Sequence, residues 1–187
     1  MDRPPAPGPG DPTRLATPAD ATELTRLRAR LLAGTGAPPG DGGWQAACTA
    51  YLRRALADGT VVGAVVDGRE PGALVATGLV ALRRVAPGPR NPRGQEAYVY
   101  SMYTESGWRR RGLARAILQR LLAEVGRRGI AVVELHATAQ GEPLYASLGF
   151  RPRPEGRPMR LVTGAYPGAG GSEPPPAPVS GSPAPGK

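Results

Sequence analysis

The segment from Tyr98 to Phe150 constrains the fold of this chain more than any other part of the sequence. It begins as a tyrosine-rich strand and passes through three successive arginines into residues 111–128, where apolar side chains recur at helical spacing. A second strand-like stretch, Ile130–His136, and a short helical stretch, Glu142–Leu148, follow. Alternation of strands and helices over this length predicts a sheet that packs against helices.

The residues that precede this segment predict hairpin-paired strands and two further helices. One helix starts after Thr17-Pro18 and ends at Gly34, since a hydroxyl N-cap and a proline at the first helical position favour a helix start. The remaining predicted elements are a helix from Trp44 to Asp58 and strands at Thr13–Ala16, Val61–Val66, Ala73–Arg83, Ala97–Thr104 and, weakly, near Phe150 and Leu161. The sequence therefore predicts an α/β (α+β) fold, a mixed and mostly antiparallel twisted sheet of about six to seven strands flanked by about four helices.

Proline is concentrated at the two ends of the chain. Twelve of the 23 prolines fall in Met1–Pro12 and Gly164–Lys187, and neither segment has enough large apolar side chains to form a core. Both segments are predicted to be disordered tails. A single domain is expected from Thr13 to Thr163.

The charge and the rare residue types restrict the possible functions. The formal net charge is +9, and Lys187 is the only lysine among 24 basic residues, so arginine carries the positive charge. A basic chain favours polyanionic partners, which are nucleic acid, an anionic membrane or a phosphorylated cofactor. With one cysteine, Cys48, and one histidine, His136, we expect neither an internal disulfide nor a metal site. No run of 18 apolar residues and no signal-peptide pattern is visible, so we expect a cytoplasmic protein without a membrane span.

The junction between the tyrosine-rich strand and the long helix is suited to bind a pyrophosphate. Gly112 and the small Ala114 allow the backbone to approach a ligand where the helix begins. Unpaired N–H groups and the helix dipole favour an anion there, and the arginines before Gly112 add charged contacts to phosphate. Neither the Gly-x-x-x-x-Gly-Lys spacing nor the dinucleotide fingerprint is present.

These residues resemble the Gcn5-related N-acetyltransferase (GNAT) superfamily. Arg109, Gly112 and Ala114 fit the pattern Gln/Arg-x-x-Gly-x-Gly/Ala that follows a strand in that family, and farther along Tyr145 and Gly149-Phe150 fit its Tyr and Gly-Phe motif. The resemblance implies a GNAT-like fold and an acetyl-CoA-dependent N-acetyltransferase with no metal. The residues that it assigns to acetyl-CoA are the strand end Met102, Tyr103 and Thr104 and the helix start Arg109, Arg110, Arg111, Gly112, Leu113, Ala114 and Arg115. It assigns to Tyr145 the role of protonating, or hydrogen-bonding to, the leaving thiolate.

Direct attack of an amine on a thioester requires a proton acceptor. An amine with a pKa of about 10.4 is neutral at pH 7 in roughly one molecule per 2,500, which corresponds to about 4.6 kcal/mol. Glu134 and His136 lie two apart on one face of the predicted fifth strand, and Glu96 and Glu105 lie near the fourth. Relatives often carry a carboxylate on the fifth strand, so Glu134 is preferred as the base.

Two other functions stay open at this stage. A non-catalytic acyl-CoA sensor would use the same fold, and a basic nucleic-acid-binding protein would account for the arginines. The arginines are scattered, however, and no array of stacking aromatics accompanies them. The acceptor, an amine of a small molecule or of a protein, is not identified by any motif, and a homodimer is left open.

Overall fold

The described helices and strands form one five-stranded sheet with helices on both faces. The computed structural model describes residues 10–36 and 43–152, all within a unit that spans Met1–Gly156, while the second unit, Arg157–Lys187, lies outside the described residues. The elements are β1 Thr13–Leu15, α1 Ala21–Ala33, α2 Gly43–Ala57, β2 Val61–Asp67, β3 Leu74–Arg84, β4 Gln95–Thr104, α3 Leu113–Arg127, β5 Val132–Leu135 and α4 Glu142–Ser147. Short 3-10 helices at Pro18–Asp20 and Ser106–Trp108 precede α1 and α3.

The sheet changes from antiparallel to parallel at its last pair. Strands β1 to β4 pair antiparallel in chain order, and β5 lies parallel to β4 after the crossover through α3. The predicted mixed, mostly antiparallel sheet is thereby confirmed. The weak strand predicted near Phe150 falls at the end of the described residues, and the one predicted near Leu161 lies outside them. The predicted tail Gly164–Lys187 and the N-terminal tail up to residue 9 also lie outside the described residues.

One apolar cluster lies between the sheet and α3. The predicted helical stripe is buried along its length: Leu113 is 8% exposed, Ile117 and Leu121 are 0% and Val125 is 1%. These side chains pack against alternate residues of β2 and β3, such as Val80. Each large aliphatic side chain buried in this way contributes about 1.5–3 kcal/mol, so α3 is held firmly on its face of the sheet.

The other apolar cluster lies between the sheet and the pair α1 and α2. Leu24 and Leu27 of α1 and Leu52 of α2 pack on Leu79 of β3. The sequence places Tyr51 on the apolar side of α2, but its side chain is 44% exposed. Helix α2 therefore contacts the sheet over a narrower stripe than the spacing of its apolar residues indicates.

Asp20 ties the start of α1 to the sheet. Its carboxylate accepts hydrogen bonds from the Thr17 amide at 2.7 Å and from the Arg14 guanidinium at 2.8 Å. The same guanidinium contacts Asp67 at the end of β2, at 2.8 Å. Burial by itself would raise the pKa of Asp20, but the hydrogen bonds from Arg14 and Thr17 outweigh it and hold the pKa below its usual range.

A β-bulge interrupts β4 at Ser101 and Met102. Thr77 pairs with Tyr103 and Leu79 with Tyr100, so the single residue Gly78 opposes both bulged residues. Ser101 takes a left-handed φ of 51°, which is unusual for a residue other than glycine. The sheet is closely packed here, because a Cβ on Gly78 would lie 2.7 Å from Ile117 Cγ2.

Beyond this bulge, β4 continues without a neighbour on its β5 side. The last β4–β5 pair is Val99 with Leu135, whereas β4 extends to Thr104. Among the described residues, no strand pairs with positions 100–104 on that side. The two parallel strands thus separate and leave a backbone edge that can accept another extended chain.

No helix of the described residues is long and apolar enough to cross a membrane.

Candidate active site

The turn that enters α3 presents a series of backbone amides without acceptors. In the part of the chain that the structure describes, the N–H groups of residues 110–115 donate no hydrogen bond, and Gly112 at the N-cap provides no side-chain cap. Arg110 and Gly112 have left-handed φ values of 59° and 78°, on either side of Arg111. Alternating backbone conformations of this kind form an anion-binding concavity, and the positive end of the helix dipole adds to its potential.

Four arginines surround this concavity, and none has a carboxylate partner among residues 10–36 and 43–152. Arg109 Nε donates to the Thr104 carbonyl at 3.0 Å, and Arg111 donates to the Gly107 carbonyl at 3.0 Å. Arg115 donates to Ser147 Oγ at 2.7 Å, which connects the first turn of α3 to α4. With Arg110 included, the local charge is strongly positive, as a pyrophosphate site requires.

The open edge of β4 leads directly to this turn. Met102 packs against the α3 cluster, Tyr103 packs on the opposite face against the α1 and α2 cluster, and Thr104 ends the strand. Because β4 runs on through Ser106–Trp108 into the amide-lined turn, an extended ligand arm on the strand edge could continue into the anion site. The structure thus brings the strand-end and helix-start residues of the sequence prediction into one continuous surface.

Tyr145 lies on α4 with its ring against the α3 cluster. The ring meets Phe150 edge to face, with centroids 5.9 Å apart, and the Phe150 amide donates to the Tyr145 carbonyl at 3.1 Å. Gly149 takes a φ of 93° to turn the chain back between them. Burial raises the pKa of Tyr145, so its hydroxyl stays protonated at neutral pH and is able to donate a proton.

The predicted base candidates lie in different environments. On β5, Val133 and Leu135 face the α3 cluster, which puts Glu134 on the opposite face of the sheet. Arg83 lies 3.9 Å from Glu134 and 3.5 Å from Glu96, so these two carboxylates share one guanidinium.

His136 and Glu105 are the other two candidates for the base. His136 Nδ1 is 2.8 Å from the Tyr98 hydroxyl, just beyond the last β4–β5 pair. Glu105 forms a salt bridge with Arg26 of α1 at 2.7 Å, so this carboxylate helps to hold α1 on the sheet. Glu134 and His136 are therefore the candidates that lie beside the point where β4 and β5 separate.

Two further residues, Arg28 and Ser101, meet at the β4 bulge and were not predicted from the sequence. Arg28 Nη1 donates to Ser101 Oγ at 2.6 Å, and its guanidinium lies 5.8 Å from the centre of the Tyr100 ring. A signal for Arg28 was present: it lies four residues after Leu24 and three before Leu31, so a charged side chain stands within the apolar stripe of α1. The bulge at Ser101 has no comparable sequence signal, since it depends on which residues pair across the sheet.

No group of three or more His, Cys, Asp or Glu side chains that could hold a metal ion occurs in the described residues.

Comparisons with known proteins agree with this geometry. The sequence of residues 77–159 matches the acetyltransferase (GNAT) domain family. A predicted acetyltransferase from Clostridium acetobutylicum, solved with acetyl-CoA, is 30% identical with a TM-score of 0.71, and the match covers 80% of this chain and 95% of that one. A GCN5-related N-acetyltransferase from Ralstonia eutropha is also 30% identical, with a TM-score of 0.66 and coverage of 81% and 98%.

More distant structures share the fold alone. Glucosamine-6-phosphate N-acetyltransferase from Arabidopsis thaliana is 16% identical with a TM-score of 0.63, and the match covers 81% of this chain and 99% of that one. No curated protein sequence matches the chain.

Proposed function

This chain belongs to the GNAT acetyltransferase family, and from that premise we propose that it transfers the acetyl group of acetyl-CoA to the nitrogen of an amine. The observation that carries the proposal is the continuity of the open β4 edge, residues 100–104, with the unpaired amides of residues 110–115. An extended arm with a pyrophosphate beside it fits that surface, because one part offers backbone pairing and the other offers anion binding.

The chain's own residues account for the parts of acetyl-CoA in turn. The backbone of Met102, Tyr103 and Thr104 would pair with the pantetheine arm, and the amides of residues 110–115, with the arginines around them, would hold the pyrophosphate. When bound, acetyl-CoA supplies a thioester whose acyl carbon forms a bond to nitrogen as its bond to sulfur breaks. The Thr104 carbonyl, which Arg109 now contacts, would become available if that guanidinium turned toward phosphate.

Tyr145 is proposed to donate a proton to the leaving sulfur. Its hydroxyl is protonated at neutral pH because burial raises its pKa, and the bond from Arg115 to Ser147 fixes α4 against the start of α3. Met102 and Tyr145 pack on the same apolar cluster, so the strand edge and this hydroxyl share one side of the site. A proton donor that stays neutral until a thiolate forms suits this role.

Glu134 is proposed to accept the proton from the amine, directly or through a water, on the face of the sheet opposite α3. The Arg83 guanidinium lies 3.9 Å from this carboxylate. His136, whose ring nitrogen contacts Tyr98, is the alternative proton acceptor. The amine would thus approach from the α1 and α2 face, while the cofactor lies on the α3 side of the strand edge.

The test is release of free thiol from acetyl-CoA in the presence of a panel of amines, which includes amino acids, peptides, polyamines and aminoglycosides. We expect amine-dependent release with at least one class, and a loss of about 10²-fold or more in kcat for Tyr145→Phe with little change in the KM for acetyl-CoA.

Two outcomes would contradict the proposal. Binding of acetyl-CoA without thiol release for any amine would favour the non-catalytic sensor instead. Salt-dependent DNA binding, together with no thermal shift from acetyl-CoA, would favour a nucleic-acid-binding protein.

A further inference from the structure

We propose that the acceptor amine also carries an acidic group, a carboxylate or a phosphate, and that Arg28 binds this group. The inference rests on the proposed function, because it names the substrate class of the same site. It starts from the position of Arg28 within the buried stripe of α1, from which its side chain reaches the β4 bulge.

The Arg28 guanidinium has most of its hydrogen-bonding capacity unused. It has five N–H donors, and in the described part of the chain its contacts are the Ser101 hydroxyl and the face of the Tyr100 ring. No carboxylate of residues 10–36 or 43–152 pairs with it. Arg26, on the same helix, is by contrast saturated by Glu23 at 2.9 Å and Glu105 at 2.7 Å. An arginine held among apolar residues without an anion is suited to bind an external one.

The β4 bulge turns several side chains toward Arg28. Tyr100 and Tyr103 both pack on the α1 and α2 cluster, and Ser101 between them reaches Arg28, so these three residues share a face. Among the described residues, the buried Tyr100 hydroxyl makes no hydrogen bond of normal geometry, although the Tyr51 side chain lies beside it. A buried hydroxyl left unsatisfied costs about 1–3 kcal/mol, and an oxyanion beside Arg28 would satisfy it.

The location of Arg28, Tyr100 and Ser101 relative to the strand edge links them to the proposed reaction. Positions 100–104 are where β4 lacks a β5 neighbour, and Ser101 directly precedes Met102 on that edge. Consecutive Cα atoms are about 3.8 Å apart, so an anion at Ser101 lies within one residue of Met102, where the strand edge proposed to bind the pantetheine arm begins. The acid and the amine of the acceptor are therefore separated by few bonds, as in an α-amino acid.

The experiment compares acceptors that differ only in the acidic group. Common amino acids are assayed beside their α-carboxamides, and O-phosphoethanolamine beside ethanolamine, with thiol release as the readout. The carboxamide has nearly the same size but no charge, and it has a larger fraction of free amine. A higher kcat/KM for the acid within a pair thus reports recognition of the charge, and the two kinds of pair distinguish carboxylate from phosphate.

Substitutions assign that recognition to Arg28. We expect Arg28→Gln to raise the KM for the preferred acid by about tenfold to hundredfold, because a charged hydrogen bond is lost, and to change kcat/KM for the neutral partner less than about twofold. Arg28→Lys should recover part of the difference, since it keeps the charge without the planar fork. Arg30→Gln is the matched control, because Arg30 is exposed on the same helix.

Three outcomes would overturn the inference, and they differ from one another. Wild-type turnover that is equal for acid and neutral partners would refute it while leaving the proposed function intact. An equal loss for both partners in Arg28→Gln, with weaker acetyl-CoA binding in calorimetry, would mean that Arg28 only supports the Ser101 bulge. No turnover with any amine would refute the proposed function itself and the inference with it.

Discussion

Gly78→Ala tests how closely the sheet is packed behind the β4 bulge. A Cβ at this position would meet Met102 Sδ at a distance far below van der Waals contact, Ile117 Cγ2 at 2.7 Å and Leu121 Cδ1 at 3.0 Å. Ile117 and Leu121 are fully buried on α3, so any change of their side-chain conformation must be accommodated within the packed core. Met102 is the more flexible neighbour, and it lies on the strand edge proposed to bind the pantetheine arm.

The expected cost follows from this overlap. Inserting one methyl group into a well-packed core destabilises a protein by about 1–3 kcal/mol, and three simultaneous contacts place Gly78→Ala toward the upper end of that range. Urea denaturation should show a lower midpoint with an unchanged m-value. If Met102 moves to relieve the overlap, the dissociation constant for acetyl-CoA should also rise.

Gly126→Ala is the matched control for this substitution. Gly126 lies within α3, and a Cβ there would meet nothing within 4 Å. The same change in the last turn of α3, where the space is open, should stabilise the protein by less than the ~0.5–1 kcal/mol typical of a helix interior. The two substitutions should therefore act in opposite directions. Equal stability of Gly78→Ala and wild type would refute the reasoning, since it would mean that the sheet and α3 are not packed as described.

Three further predictions concern the turn, a carboxylate and the base. Gly112→Ala should lower the free energy of unfolding by about 1–2 kcal/mol, because the φ of 78° at this position disfavours any side chain although the space around it is open. The substitution should also weaken acetyl-CoA binding in calorimetry, and an unchanged affinity would contradict this prediction. Asp20→Asn should destabilise by about 1.5–3 kcal/mol at pH 7. Burial would raise the pKa of Asp20, but the hydrogen bonds from Arg14 and Thr17 outweigh it and hold this pKa below 3.8 in the fold. The contribution of Asp20 is therefore fully present above pH 3.8 and is lost as the pH falls through the folded-state pKa, so the stabilities of wild type and variant should approach each other as the pH is lowered below 3.8. Glu134→Gln should reduce kcat about 10²-fold or more, whereas a larger effect of His136→Gln would assign the base to His136.

The elements with a local periodic signal could be predicted from the sequence. The spacing of Leu113, Ile117 and Leu121 identified α3 and its buried face, and the structure confirms that face. The turn before α3, with its glycine and arginines, could also be predicted from the sequence. An uncapped helix start with adjacent arginines is a local property of the chain.

The features that depend on long-range pairing could not be predicted in this way. The bulge at Ser101 exists because Gly78 opposes two residues, which only the register of β3 and β4 defines. The separation of β4 from β5 depends on where their pairing ends, at Val99 and Leu135. Tyr51 shows the same limit, since the helical pattern places it on the apolar side but the width of the α2 contact leaves it exposed.

The roles proposed for single side chains depend on still more distant neighbours. Glu134 lies beside Arg83 because β3, β4 and β5 are adjacent in the sheet, although the two residues are far apart in sequence. Arg28 reaches Ser101 across 73 positions. Composition could show that arginine is abundant, but only the fold distinguishes the arginines that have carboxylate partners from the one that points at the bulge.

Amide hydrogen exchange with and without acetyl-CoA tests the central claim most directly. The amides of residues 110–115 have no acceptor in the described structure, so they should exchange rapidly in the free protein. Saturating acetyl-CoA should slow exchange there and along residues 100–104, while the amides of α2 should be unaffected. Binding measured by calorimetry without protection of these two segments, or with protection centred elsewhere, would contradict the account.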